Sequence, residues 1–287
     1  MKRRNEGFIT TSAGKVWYEI VGQPNKIPLI TVHGGPGYPH DYLEPFEDLS
    51  DERQVVFYDQ LGCGNSGWPQ DKSYFSLEYC TDELAQLIKD LGFKEYHLIG
   101  QSWGTTIAAN LAIRKPEGLK SAIFAGVFFS SQRWLKDAWM LIEKLPEDAR
   151  DAFKNSDHNS AEYKKALELF NFKYLYMIKP EDYPTEIIKA ENKTSPDILE
   201  IAYGSDEFHP SGILDDLDLT DKLSEINVPT LFLAGRNDYS TPETTEYFAS
   251  HILGSEVKIF EKSAHFAHWT EREEFISTIR QFLTKSG

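Results

Sequence analysis

Cysteine is almost missing from this chain: Cys63 and Cys80 are the only two in 287 residues. That argues against a disulfide framework and for a reducing setting, the cytoplasm. Positive charge is scarce too. Lys and Arg total 30 against 45 Asp and Glu, and a formal charge of -15 repels phosphate backbones and anionic headgroups alike, so neither nucleic acid nor a membrane surface is an expected partner. Long apolar runs are lacking: Ala122 to Phe129 is the longest, and a bilayer span needs about 20 residues. Met1-Lys2-Arg3-Arg4 has the charge of a leader segment, but the apolar run after it stops at Phe8-Ile9 and gives way to Thr10-Thr11-Ser12, so no secretory leader is expected. There is no H-E-x-x-H and no Cys/His cluster, hence no expected metal or other cofactor. Internal repeats and low-complexity segments are absent as well.

What is present suits a single large core: 40% hydrophobic and 13% aromatic residues. Short apolar or β-branched runs, most ending in a Gly-containing loop, predict strands at 15–20, 28–33, 54–59, 96–100, 122–126, 229–235 and 257–261. Helical spacing is clearest at 78–91, 103–114 and 271–283. This alternation predicts an α/β protein with a mostly parallel sheet covered by helices on both faces. Residues 128–221 break the rhythm, with helical spacing, many aromatics and no convincing strand. They are expected to form a helical cap inserted into a core made of 1–127 and 222–287.

Gly100-Gln101-Ser102-Trp103-Gly104 is a G-x-S-x-G lying directly after a predicted strand and before a predicted helix, the context of a nucleophile elbow. A sharp turn there strains the serine backbone and lifts its hydroxyl above the sheet, and only glycines leave room beside it. A serine hydroxyl needs a base, and the base an orienting acid. Both follow in the chain order this architecture uses. The strand at 229–235 runs into Arg236-Asn237-Asp238, and the one at 257–261 into Ser263-Ala264-His265, so Asp238 and His265 complete a catalytic triad with Ser102. His268 is the rival base, placed at the start of the last helical segment; His251 precedes its strand and lies on the wrong side of it. His33-Gly34-Gly35-Pro36-Gly37 follows the strand at 28–33 and supplies one oxyanion amide at Gly35, the other coming from Trp103 after the nucleophile. His33 itself is expected to brace the loop. In Asp59-Gln60-Leu61-Gly62-Cys63-Gly64-Asn65-Ser66, Asp59 is expected to be held by backbone amides, and Cys63 is either a thiol near the pocket or a buried inert one.

Taken together, HGGPG, DQLGCGNS, GQSWG and the Asp238 and His265 loops resemble the proline iminopeptidase family of α/β hydrolases, over about residues 17–282. The resemblance implies the α/β-hydrolase fold. In the cap, Gly204-Ser205-Asp206-Glu207-Phe208 is similar to the family's G-P-x-E-F, whose glutamate binds the free α-amino group of the substrate. Matching gives that role to Glu207. Two positions depart from the family: Ser205 stands where a proline is preferred, and Tyr239, beside the catalytic Asp238, where a second amine-binding glutamate is common. Tyr239 is therefore a candidate substrate contact of different chemistry.

The expected function is a serine hydrolase that releases an N-terminal proline or other small or apolar residue from a short peptide, amide or ester through an acyl-enzyme. A carboxylesterase or lactonase, or an amino-acid amidase, uses the same triad and remains open, as does a non-catalytic hydrolase-fold receptor. Haloalkane dehalogenases and epoxide hydrolases carry an aspartate where Ser102 stands. Oligomeric state is not legible.

Overall fold

A computed structural model describes residues 3–69 and 71–286. Eight strands form one sheet in the order β1-β2-β4-β3-β5-β6-β7-β8. They are β1 (Arg4–Thr10), β2 (Lys15–Val21), β3 (Leu29–Val32), β4 (Val55–Tyr58), β5 (Tyr96–Gln101), β6 (Leu119–Ala125), β7 (Thr230–Gly235) and β8 (Glu256–Phe260). β1 and β2 pair antiparallel with their neighbours, and every pairing from β4 to β8 is parallel. The seven predicted strands are all found. β1 is new, because it is an edge strand with only Ile9 buried, and its charged, Gly-containing run carries no periodic signal.

β3, β4 and β7 are buried at every position, as strands covered on both faces must be. Alternate residues go to opposite sides. Ile30, Leu98, Phe124 and Phe232 join one core with α1 (Leu77–Asp90) and α2 (Trp103–Ile113). Leu29, Ile99, Ile123 and Leu231 join a second core. Between β6 and β7 the chain forms α3 (Ser131–Ile142), α4 (Glu147–Asn155), α5 (Ala161–Asn171), α6 (Thr185–Lys193) and α7 (Pro196–Tyr203), with no strand among the described residues. Trp134, Phe153, Phe170 and Phe208 from this insertion belong to the same buried cluster as α1 and α2. After β7 come α8 (Pro242–Ala249), then, past β8, α9 (Ala267–Thr270) and α10 (Arg272–Lys285), the last packing its Phe275 and Ile279 into the second core.

This topology brings the carboxyl ends of five adjacent parallel strands to one edge. Gly35 follows β3, Ser102 follows β5, Gly126 follows β6, Asp238 follows β7 and His265 follows β8. No helix of the described chain is long and apolar enough to cross a membrane.

The tightest packing lies where β5 turns into α2. A Cβ on Gly104 would collide with the Val32 carbonyl, and one on Gly100 with the Gly104 carbonyl. Both obstacles are backbone, so no side chain can yield. Gly104→Ala should therefore destabilise by about 1–3 kcal/mol through overpacking, lowering Tm by roughly 2–12 °C for a chain of this size. Calorimetry checks this, and an unchanged Tm would show that the elbow has slack.

Candidate active site

Ser102 has φ 54° and ψ -126°, a conformation costly for a side chain with a Cβ. The surrounding backbone holds it there: the Ser102 amide donates to the Ala125 carbonyl at 3.0 Å and the Thr105 amide to the Ser102 carbonyl at 2.8 Å. Trp103 opens α2, so its amide is one of the first-turn donors that no helical carbonyl can accept. The loop after β3 closes over the serine. A Cβ on Gly34 would sit 2.9 Å from Ser102 Cβ, so that position admits no larger residue.

The Gly34 amide donates to Tyr42 Oη at 2.7 Å, and Tyr42 Oη donates to Gln101 Oε1 at 2.6 Å. The Gly35 amide has no protein acceptor among the described residues. It and the Trp103 amide are thus two unpaired donors on the segments that meet at Ser102. His33 is buried and neutral, its pKa lowered to about 4 chiefly by burial. Its Nε2 accepts from the Gln60 amide at 2.8 Å, while Gln60 Oε1 accepts from Trp103 Nε1 at 3.1 Å. A histidine and a glutamine thereby join the DQLGCGNS loop to the loop after β3 and to the start of α2. Asp59 in that run accepts from the His40 and Asn65 amides at 3.0 and 2.8 Å and from His40 Nδ1 at 2.7 Å. Cys63 is buried beside it, and burial pushes its thiol well above the usual range, which removes thiolate reactivity.

His265 Nδ1 lies 2.8 Å from Asp238 Oδ1, and both side chains are almost fully buried. The Ser240 amide donates to the same Oδ1 at 2.8 Å. Gly126 forms the floor: at φ 59°, a Cβ there would strike His265 Nδ1 and Cε1. His265 Nε2 is buried without a hydrogen-bond partner, so the serine–imidazole bond is open in this conformation, and such bonds often close only around substrate. The Tyr239 ring covers the imidazole at 4.3 Å between centroids. His268 is buried at the start of α9, its pKa lowered to about 3 by burial and by His265. It packs among Tyr42, Phe46 and Phe266, away from any carboxylate.

Ser102, His265, Gly35, Tyr239 and Glu207 line one cavity of about 360 Å³. The cap segment at 204–208 is fastened by its neighbours of Glu207 and not by Glu207 itself. Phe208 is buried against Phe153 and Phe170 at 5.0 and 5.2 Å. Asp206 accepts from Tyr163 Oη at 2.7 Å and the Phe208 amide at 2.9 Å, with His209 Nδ1 at 2.7 Å from its other oxygen. Glu207 has no hydrogen bond or ion pair among the described residues. Burial, then the charge of Asp206, raises its pKa to about 7.

Gly126, Tyr42 and Tyr203 also shape the site, though no motif in the sequence marks them. Tyr203 Oη donates to the Gly35 carbonyl at 3.0 Å, tying α7 to the loop after β3. A Gly as the last residue of the strand predicted at 122–126 is the local signal for Gly126; nothing local marks the tyrosines.

The model of the alpha/beta hydrolase fold matches residues 27–272. A proline iminopeptidase of Heyndrickxia coagulans is 37% identical over 97% of this chain and 98% of that protein. One of Clostridioides difficile (strain 630) is 35% identical, with 97% of each chain covered. Among solved structures, the proline iminopeptidase of Mycobacterium smegmatis superposes with a TM-score of 0.92 at 29% identity, covering 98% of both chains. With full-length similarity of this degree added to a strand-end serine, acid and imidazole, the chain belongs to the proline iminopeptidase family of α/β hydrolases and is a serine hydrolase.

Proposed function

We propose that this enzyme is a proline iminopeptidase, releasing an N-terminal proline, or another small or apolar residue, from short peptides and amides. The observation that carries this is Glu207: a carboxylate without a protein partner, aimed into the cavity that contains Ser102. A cationic α-amino group satisfies it, and an acylated nitrogen does not. The names of its full-length relatives support the same reading. We further propose that residues 1–127 and 222–287 act as the catalytic core and 128–221 as the specificity cap, and that the enzyme works in the cytoplasm on small substrates.

In the reaction, Ser102 Oγ attacks the substrate carbonyl while its proton passes to His265 Nε2. Asp238 holds the tautomer with hydrogen on Nδ1 and balances the imidazolium that forms. The amides of Gly35 and Trp103 receive the negative oxygen of the tetrahedral intermediate. The imidazolium proton then leaves with the departing amine, giving the prolyl-enzyme. Water attacks this ester along the same proton path, regenerating Ser102.

Three outcomes are expected. First, proline 4-nitroanilide should be cleaved and its N-acetyl derivative refused. Glu207→Ala should lower kcat/KM for the free amine by about 30-fold or more, the loss typical of truncating one partner of a desolvated charge pair, with little effect on 4-nitrophenyl acetate. Turnover of the simple ester alone, unaffected by Glu207→Ala, would make the enzyme an esterase.

Second, Glu207 is neutral below about pH 7 and cannot then neutralise an ammonium. The ratio of kcat/KM for proline 4-nitroanilide to that for 4-nitrophenyl acetate should rise through this pH in the wild type and stay flat in Glu207→Gln. Taking the ratio cancels the titration of the shared base. A flat wild-type profile would remove Glu207 from amine binding.

Third, Gly126→Ala should displace the imidazole and reduce kcat by on the order of 100-fold, since ångström-scale misplacement costs about that much. A kcat within twofold of wild type would mean that the His265 floor is compliant.

A further inference from the structure

A second carboxylate lines the cavity, and the mechanism above makes no use of it. Glu191, on α6, is held by Tyr176, whose Oη donates to Glu191 Oε1 at 3.2 Å. Tyr176 is itself buried, its ring packed 4.7 Å from Phe266 and 4.8 Å from Tyr183. Phe266 directly follows the base His265. Tyr38, three residues beyond Gly35, donates from its Oη to the Ile187 carbonyl of α6 at 3.4 Å. The helix that carries Glu191 is therefore braced by the loops that carry His265 and Gly35.

The two cavity carboxylates have different surroundings. Glu207 sits between Asp206, bonded to Tyr163, and Phe208, packed on Phe153 and Phe170, whereas Glu191 is bonded to Tyr176, which packs on Tyr183 and Phe266. The imidazole touches both surroundings: the Tyr239 ring, packed on Phe170, is 4.3 Å from it, and the Phe266 ring, packed on Tyr176, is 6.1 Å from it. Chemistry assigns the sides. If the substrate amine lies at Glu207, the leaving group must lie across the scissile bond, where His265 delivers its proton. The neighbouring lysines of α6 do not neutralise Glu191: Lys193 pairs with Asp41 at 3.0 Å, and Lys189 lies 3.8 Å from Glu186. Glu191 has no cationic partner among the described residues.

We propose that Glu191, positioned by Tyr176, forms a leaving-group subsite that favours substrates whose second residue carries a cationic side chain, lysine or arginine, over neutral or anionic ones. This rests on the aminopeptidase reading, which fixes the acyl side at Glu207. Thr194 and Leu199 line the same cavity and leave room for an aliphatic stem beside the charge.

The test compares kcat/KM for prolyl-lysinamide, prolyl-norleucinamide and prolyl-glutamic acid α-amide, with released proline measured by mass spectrometry. Norleucine keeps the stem of lysine and removes only its charge. The wild type should prefer lysine to norleucine by about five- to tenfold, as suits a partly exposed pair, and should disfavour glutamate. Glu191→Gln should bring the lysine-to-norleucine ratio to near one, and Glu191→Lys should invert the order toward glutamate. Tyr176→Phe should shrink the ratio, chiefly through KM. Because each readout is a ratio within one protein, loss of folded enzyme cancels. Wild-type ratios within twofold of one, or a preference that survives Glu191→Gln, would overturn the subsite while leaving the aminopeptidase reading intact. Failure to cleave any prolyl substrate would overturn both.

Discussion

The catalytic edge depends on one backbone reversal, the left-handed turn at Ser102 that joins β5 to α2 without a connecting loop. Strain of this kind costs about 1–3 kcal/mol and survives only where the surroundings leave no alternative. Here Gly100 and Gly104 let strand and helix touch, Gly34 lets the β3 loop lie over the serine, and α2 is buried along almost its whole length. The same reversal supplies the chemistry. It raises the hydroxyl, and by starting a helix at the next residue it leaves the Trp103 amide unpaired beside it. The strained serine and the unpaired Trp103 amide are two results of a single turn.

Around that turn, what separates a functional acid from a structural one is whether the protein has already used it. Asp206 and Glu207 are adjacent on the same cap segment. Asp206 is consumed by a tyrosine, a backbone amide and a histidine, and so shapes the segment. Glu207 has no such partners and faces the cavity. Asp238 lies between these cases: Oδ1 serves His265 and the Ser240 amide, while buried Oδ2 has no partner. In a chain with 45 acids, composition says nothing about this distinction. Hydrogen-bond accounting makes it.

The same distinction marks how far the sequence could be read. The parallel strands were legible because strands buried on both faces become continuous apolar runs. The elbow was legible because its glycines are demanded by backbone contact. Asp238 and His265 could be placed since each follows a strand at the same sheet edge. β1 left no trace, for its stability comes from pairing with β2 and not from burial of its own side chains. Tyr42, Tyr203 and Gly126 also escaped notice, since they act across the fold: Tyr42 lies 59 positions from Gln101, and Tyr203 lies 168 from Gly35. Local pattern carries what local sterics impose. It does not carry a contact whose partners meet only once the chain has folded.

Tyr239 shows how a departure from family pattern can be consistent with family chemistry. A carboxylate at this position would stand next to Asp238 and within the field of Glu207, adding a third negative charge to a poorly solvated space and raising the pKa of Glu207 further. A tyrosine adds no charge, because burial and the nearby acids hold its phenol well above the usual range. Its ring instead covers the imidazole. At the amine site proposed above, a bound ammonium would meet one carboxylate, Glu207, beside aromatic rings, which attract cations without adding to the repulsion among acids. On that proposal, a tyrosine in place of a glutamate leaves one charge in an aromatic surrounding where there would be a pair, and amine binding rests more fully on Glu207.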